Sequence, residues 1–191
     1  MSTVRPGHRP VLLVVDVQVG VVAEAWETPR VVANVALAVK RAREAGVPVI
    51  WVQHEDGDLV RGTDPWQLVP ELAPQEGEAR IFKRFGSSFE QTDLEARLAA
   101  IGATHVILAG ACTNWCIRAT AYAALDRGYD LTLVKDAHTT LHTDLGEGRQ
   151  IAASDIVTDL NITMTWLDYP GRKSATARAG EIAFDAAPGA A

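Results

Sequence analysis

Cysteine is scarce in this sequence: two residues, Cys112 and Cys116, in 191. That number rules out the disulfide framework on which small secreted domains depend. Their C-x3-C spacing, with no second cysteine pair and no nearby His-x-x-x-His, makes a poor zinc signal. Long apolar runs are missing too, and none approaches the roughly 18 residues a membrane-spanning helix needs. Basic residues are not clustered. With 18 Lys and Arg against 24 Asp and Glu, and a net charge of -6, the chain lacks the footprint of a phosphate-binding surface. Internal repeats are absent. The polar segment Met1–Pro10 carries no signal-peptide pattern, so the expected location is cytoplasmic, with neither nucleic acid nor membrane as partner.

What remains is an ordinary globular composition, 48% hydrophobic and 22% charged, in a length that fits one domain over residues 1–191. Val11–Val15 is a continuous apolar run, β-branched at three of five positions, and reads as a buried parallel strand. Further strands are predicted at Pro48–Gln53, Arg80–Phe82, His105–Ala109, Leu131–Val134 and Ile162–Leu167. Helices are predicted over about 30–45, 92–101, 114–127 and 146–159, the first and third stopping at Gly46 and Gly128. The Leu59–Ala79 connection is long for a plain loop, and a short helix or part of a site wall is expected there. The tail after about residue 170 is rich in Ala and Gly and is left extended.

Strands alternating with helices predict an α/β fold of three layers. It has a mainly parallel six-stranded sheet in the order 3-2-1-4-5-6 and helices on both faces. Ligands of such sheets bind outside the carboxyl ends of the strands. Three reactive side chains fall at strand ends. Asp16 ends the first strand, Lys83 follows the third, and Cys116 lies just after the fourth. In that order strands one and four are neighbours, so Asp16 and Cys116 come within reach of each other.

Each residue has a plainer reading. Cys116 is either a small buried apolar residue or a nucleophile in the first turn of a helix capped by Thr113, where helix-end N–H groups would lower its pKa from ~8.5. Asp16 either caps a loop or serves as a base for the thiol. Lys83, between Phe82 and Phe85, is either solvated or held near Asp16 to set its charge.

The surrounding motifs decide more than the single residues. Leu12-Leu13-Val14-Val15-Asp16-Val17-Gln18 resembles the first-strand motif of the isochorismatase-like hydrolases. Lys83 with Ser88-Phe89 and Thr92-x-Leu94-x-x-x-Leu98 resembles their lysine segment. Gly110-Ala111-Cys112-Thr113-Asn114-Trp115-Cys116, continued by Thr120, Ala124 and Gly128-Tyr129, resembles their G-x-x-T-x-x-C segment, and Asp136-Ala137 matches the pair after the fifth strand. The resemblance spans roughly residues 10–168. It implies a catalytic triad of Asp16, Lys83 and Cys116. It also implies a cis peptide between Ala111 and Cys112, and an oxyanion hole from the backbone N–H groups of Cys112 and Cys116. It further implies a homo-oligomer, and leaves open whether a neighbouring subunit completes the pocket.

Departures from the family narrow the chemistry. Members that hydrolyse nicotinamide carry an Asp and several His after the second strand. Here the segment is Gln53-His54-Glu55-Asp56-Gly57-Asp58, with one histidine, so no metal and no other cofactor is expected. Members that cleave vinyl ethers commonly lack the cysteine, and the presence of Cys116 favours attack on an amide-type carbonyl. The expected function is therefore hydrolysis of the C–N bond of a small amide, lactam or carbamoyl compound through a thioester. The alternatives are a vinyl-ether hydrolase with Asp16 as general acid, and a binding or redox-sensing protein using Cys112 and Cys116 as a thiol pair. Gln18, Phe89, Trp115, His138 and His142 are candidate pocket residues. Trp26 and Trp66 are candidates for a pocket wall or a subunit contact.

Overall fold

A computed structural model describes residues 2–184; residue 1 and the last part of the tail, 185–191, lie outside the described residues. The chain runs β1 (Pro10–Val15), α1 (Val19–Val22), α2 (Thr28–Glu44), β2 (Val49–His54), β3 (Ala79–Lys83), α3 (Leu94–Ala100) and β4 (His105–Ala111). It continues through α4 (Arg118–Asp126), β5 (Asp130–Thr139), β6 (Thr143–Gly146), β7 (Arg149–Ile151), α5 (Ala153–Trp166) and β8 (Ser174–Ala177). One six-stranded sheet has the order β3-β2-β1-β4-β5-β8, and every neighbouring pair in it is parallel.

Burial of the sheet on both faces follows from the two-residue period of a strand. In β1, Leu12 and Val14 join one core cluster, with Val31, Val35, Ala38 and Ala42 of α2. Val11, Leu13 and Val15 join the other, with residues of α3, α4 and α5. All six residues of β1 are buried, and a fully buried Leu or Val is worth ~1.5–3 kcal/mol. Helix α2 forms because its apolar residues at 31, 32, 35, 38, 39 and 42 make one stripe, with Pro in the first turn.

The strand order agrees with the expectation, but the sixth strand is a different segment. Ile162–Leu167 is not a strand: nearly all of it is the last part of α5, whose buried residues Ala153, Ile156, Val157, Leu160 and Met164 repeat at helical spacing. The β-branched composition of Ile162–Thr165 points to a strand, but the longer helical period wins. The helix expected from residue 146 starts at Ala153 instead, because Gly146, Glu147 and Gly148 all take positive φ and form the turn of the β6–β7 hairpin. The strand that completes the sheet, β8, lies in the tail expected to be extended. The Leu59–Ala79 connection contains a single 3-10 turn at Asp64–Trp66.

Where β1 and β4 part, their backbones touch. A Cβ on Gly110 would lie 1.9 Å from the Val15 carbonyl oxygen, and Gly110 has φ 127°. Only glycine fits there. The next residue of β1, Asp16, is left-handed at φ 54° and donates its N–H to the Val52 carbonyl at 2.8 Å. This is the switch point of the sheet.

Candidate active site

Lys83 is the centre of the site. It is the last residue of β3, and its side chain is fully buried. Its ammonium lies 2.6 Å from Asp16 Oδ2 and 3.1 Å from Cys116 Sγ. It also lies 3.3 Å from His54 Nδ1 and 3.2 Å from the Phe85 carbonyl oxygen. Three hydrogens thus face four acceptors, which offsets the loss of water around a buried cation. Cross-strand register explains the meeting, since His54 and Lys83 are paired positions of β2 and β3. His54 passes the contact outward, its Nε2 lying 3.0 Å from Asp56 Oδ2.

Cys116 is the fourth residue of a π-helical turn, Thr113–Ile117, between β4 and α4. The Ile117 N–H reaches back to the Cys112 carbonyl at 3.1 Å, as does that of Trp115, so this carbonyl is committed to the turn. The Ala111–Cys112 peptide is cis. Thr113 is not the N-cap expected of it. That position falls on Cys112, in an extended conformation, and the Thr113 hydroxyl pairs with His138 instead.

The electrostatics differ from the expectation of a thiol lowered by a helix end. Burial, then the charge of Asp16, pushes Cys116 up to about 12, against the opposing pull of Lys83. Burial also raises the Asp16 carboxyl above its ordinary range although Lys83 pulls it down. Burial would lower Lys83, but the charges of Asp16 and Cys116 outweigh it and hold the ammonium above its ordinary value. The resting site is therefore a neutral thiol beside a charged lysine, and Asp16 Oδ1 lacks a hydrogen-bond partner among the described residues. An acceptor in that state can take the thiol proton when a carbonyl is in place.

The other candidates serve elsewhere. Gln18 is fully buried and spends its amide on backbone: Nε2 donates to the carbonyls of His54 and Trp66, and Oε1 accepts the His54 N–H. It staples the long connection to the end of β2. Phe89 packs in the core with Leu94 and Tyr129. His142 accepts the Ala153 N–H at the start of α5. His138 is buried between Thr113 and Asn161. Trp115, 70% exposed, projects into solvent beside Cys116. Trp66 is buried and packs on Phe82, whereas Trp26 is half-buried and bonded through its backbone to Thr139 and Thr140.

Among the described residues, no group of three or more His, Cys, Asp or Glu side chains is placed to hold a metal ion. Glu55 pairs with Arg61 at 2.6 Å and Arg84 at 3.6 Å. Asp56 accepts the N–H groups of Asp58 and Leu59. A cavity of about 650 Å³ lined by Glu55, Asp56, Gly57, Val60, Arg61 and Arg84 opens at this end of β2 and β3. Sequence reasoning passed over His54 as a partner of Lys83. Its signal was a place at the end of the strand next to β3.

With this geometry in view, the Isochorismatase domain family matches residues 10–165. The chain belongs to the isochorismatase family. Streptothricin hydrolase of Streptomyces noursei is 35% identical over 135 residues, 68% of this chain and 49% of that protein. The maleamate amidohydrolase of Pseudomonas putida is 30% identical over 161 residues, 72% of this chain and 76% of that protein. Against the streptothricin hydrolase the match spans only about half the relative's length. A solved isochorismatase from Pseudomonas putida superposes with a TM-score of 0.81 at 26% identity, covering 92% of each chain. No helix among the described residues is long and apolar enough to cross a membrane.

Proposed function

We propose that this protein is a cysteine-dependent hydrolase that cleaves the C–N bond of a small amide, lactam or carbamoyl compound. The observation that carries the reading is a single buried ammonium, Lys83, in contact with both Asp16 and Cys116. The names of two relatives support it, a streptothricin hydrolase and a maleamate amidohydrolase, the second naming amide cleavage.

In this reading Asp16 takes the proton of the Cys116 thiol as sulfur attacks the carbonyl carbon. The N–H groups of Cys112 and Cys116 hold the oxyanion. The C–N bond then breaks, and the amine leaves with the proton from Asp16. Water next gives a proton to Asp16 and attacks the thioester. The acid departs, and the sulfur recovers its proton. Lys83 stays charged throughout and offsets whichever neighbour is anionic.

A redox role for the two thiols fits less well, because Cys112 packs against one core cluster and Cys116 against the other. The reading includes a homo-oligomer, which sedimentation velocity tests. The decisive experiment is intact mass and product analysis over a panel of small amides, with wild type and Cys116→Ala. A thioester adduct and a product that both need Cys116 support the reading. Full turnover by Cys116→Ala overturns it, and turnover of a vinyl ether by that variant would make Asp16 a general acid.

A further inference from the structure

The turn that carries Cys116 is held from one side by the end of β5. Pairing between β4 and β5 breaks near the site: β4 advances from Leu108 to Gly110 while β5 advances from Leu133 to His138. Such a bulge re-aims the side chains beyond it. Beyond it, His138 Nδ1 lies 2.9 Å from Thr113 Oγ1. Just past the end of β5, Thr140 donates its hydroxyl to Asn114 Oδ1 at 2.6 Å. Thr113 and Asn114 are the first two residues of the turn, and Cys116 is the fourth.

The hydrogen placement on His138 follows from its other neighbour. Asn161 Nδ2 donates to the Lys135 carbonyl at 2.9 Å, which turns Oδ1 toward His138 Nε2, 3.0 Å away. Nε2 must then carry the hydrogen, and Nδ1 is left as the acceptor for the Thr113 hydroxyl. His138 is 1% exposed and Thr113 is fully buried, so no water competes for either bond. Neither ring nitrogen is free for substrate.

We propose that His138, oriented by Asn161, is a positioning residue that acts through Thr113 to seat Cys116 against Lys83 and Asp16. The proposal rests on Cys116 being the reactive residue. Loss of the clamp lets the turn drift outward. Because burial and the charge of Asp16 are what raise the thiol, drift makes Cys116 an easier target for alkylation while it becomes a poorer catalyst. A merely structural contact would lower the melting temperature and leave the pH profile of alkylation where it was.

The test is the pH profile of iodoacetamide labelling, located on Cys116 rather than Cys112 by fragment mass spectrometry. Thr113→Val removes the hydroxyl at nearly constant shape. It is expected to label Cys116 at least tenfold faster at pH 8, on a profile moved toward an ordinary thiol, and Thr113→Ser is expected to restore the wild-type profile. Asn161→Ala, which frees the ring, is expected to shift the profile the same way and serves if Thr113→Val does not fold. A folded Thr113→Val or Asn161→Ala with the wild-type profile overturns the proposal. Labelling needs no substrate, so a failed amide panel would count against the hydrolase reading alone.

Discussion

Lys83 Nζ stands 3.1 Å from Cys116 Sγ, yet the thiol is pushed up to about 12. A cation at that distance would by itself favour the thiolate. Burial and the neighbouring carboxylate outweigh it, so the resting Cys116 thiol keeps its proton. Wild-type Cys116 is therefore expected to react with iodoacetamide slowly at pH 7 to 8, its rate still climbing at pH 10. Replacing Asp16 by Asn removes one of the raising charges and should move the climb to lower pH. A plateau below pH 8 in the wild type would show that the thiolate is preformed and that Asp16 need not act as base.

The Asp16–Lys83 pair has both side chains buried, 1% and 0% exposed. Removing one partner strands a charge away from water, which costs ~3–5 kcal/mol. Lys83→Met is expected to lose stability on that scale, as is Asp16→Asn to a lesser degree, because lysine keeps its other acceptors. The double variant should be more stable than the two losses added together predict, since no charge is left unpaired. All three should lack hydrolase activity. Urea unfolding of the four proteins measures the coupling, and strictly additive losses would mean that the pair contributes nothing as a pair.

The parts of this fold that were legible in the sequence are those fixed by local pattern. The apolar run of β1 ending at Asp16, the strand ending at Lys83 and the Gly110–Cys116 segment each carry their signal in adjacent residues. The sixth strand was not legible. Ser174–Ala177 holds only small residues, is at least partly exposed along its length, and becomes a strand by pairing with Leu131–Val134. The contact of His54 with Lys83 and that of His138 with Thr113 were illegible for a related reason. The first depends on cross-strand register, the second on a bulge that no local composition announces. Burial of Cys116 is likewise a property of packing, and it reversed the direction of the thiol's shift from the one its place near a helix start suggested.

His105 at the start of β4 couples stability to acid. Burial, then the charge of His8, lowers its pKa from 6.5 to about 4. Between those values the unfolded chain binds a proton that the folded chain does not. Stability therefore rises with pH across this window, is fully present above 6.5, and is lost as pH falls to about 4. The shift corresponds to ~3 kcal/mol. His138, lowered to about 4 by burial, acts in the same direction. His105→Gln should lose less stability than wild type between pH 7 and pH 4.5, by urea midpoints. An equal loss in both proteins would remove His105 from the account.

Gln18 offers a separate test of how the site's outer wall is held. Its amide makes three bonds to backbone, two to His54 and one to the Trp66 carbonyl. Gln18→Met keeps the length of the side chain but leaves the His54 N–H without its acceptor, at a cost of ~1–3 kcal/mol. His54 touches Lys83, and Trp66 sits in the connection between β2 and β3, so the variant loosens that connection and its seat beside Lys83 together. Arg61, exposed in the same connection, is a ready target for trypsin. Cleavage after Arg61 is expected to run several-fold faster in Gln18→Met than in wild type, with KM raised more than kcat is lowered once a substrate is in hand. Cleavage at the wild-type rate would mean that Gln53, which also donates to the Trp66 carbonyl at 3.0 Å, holds the connection by itself.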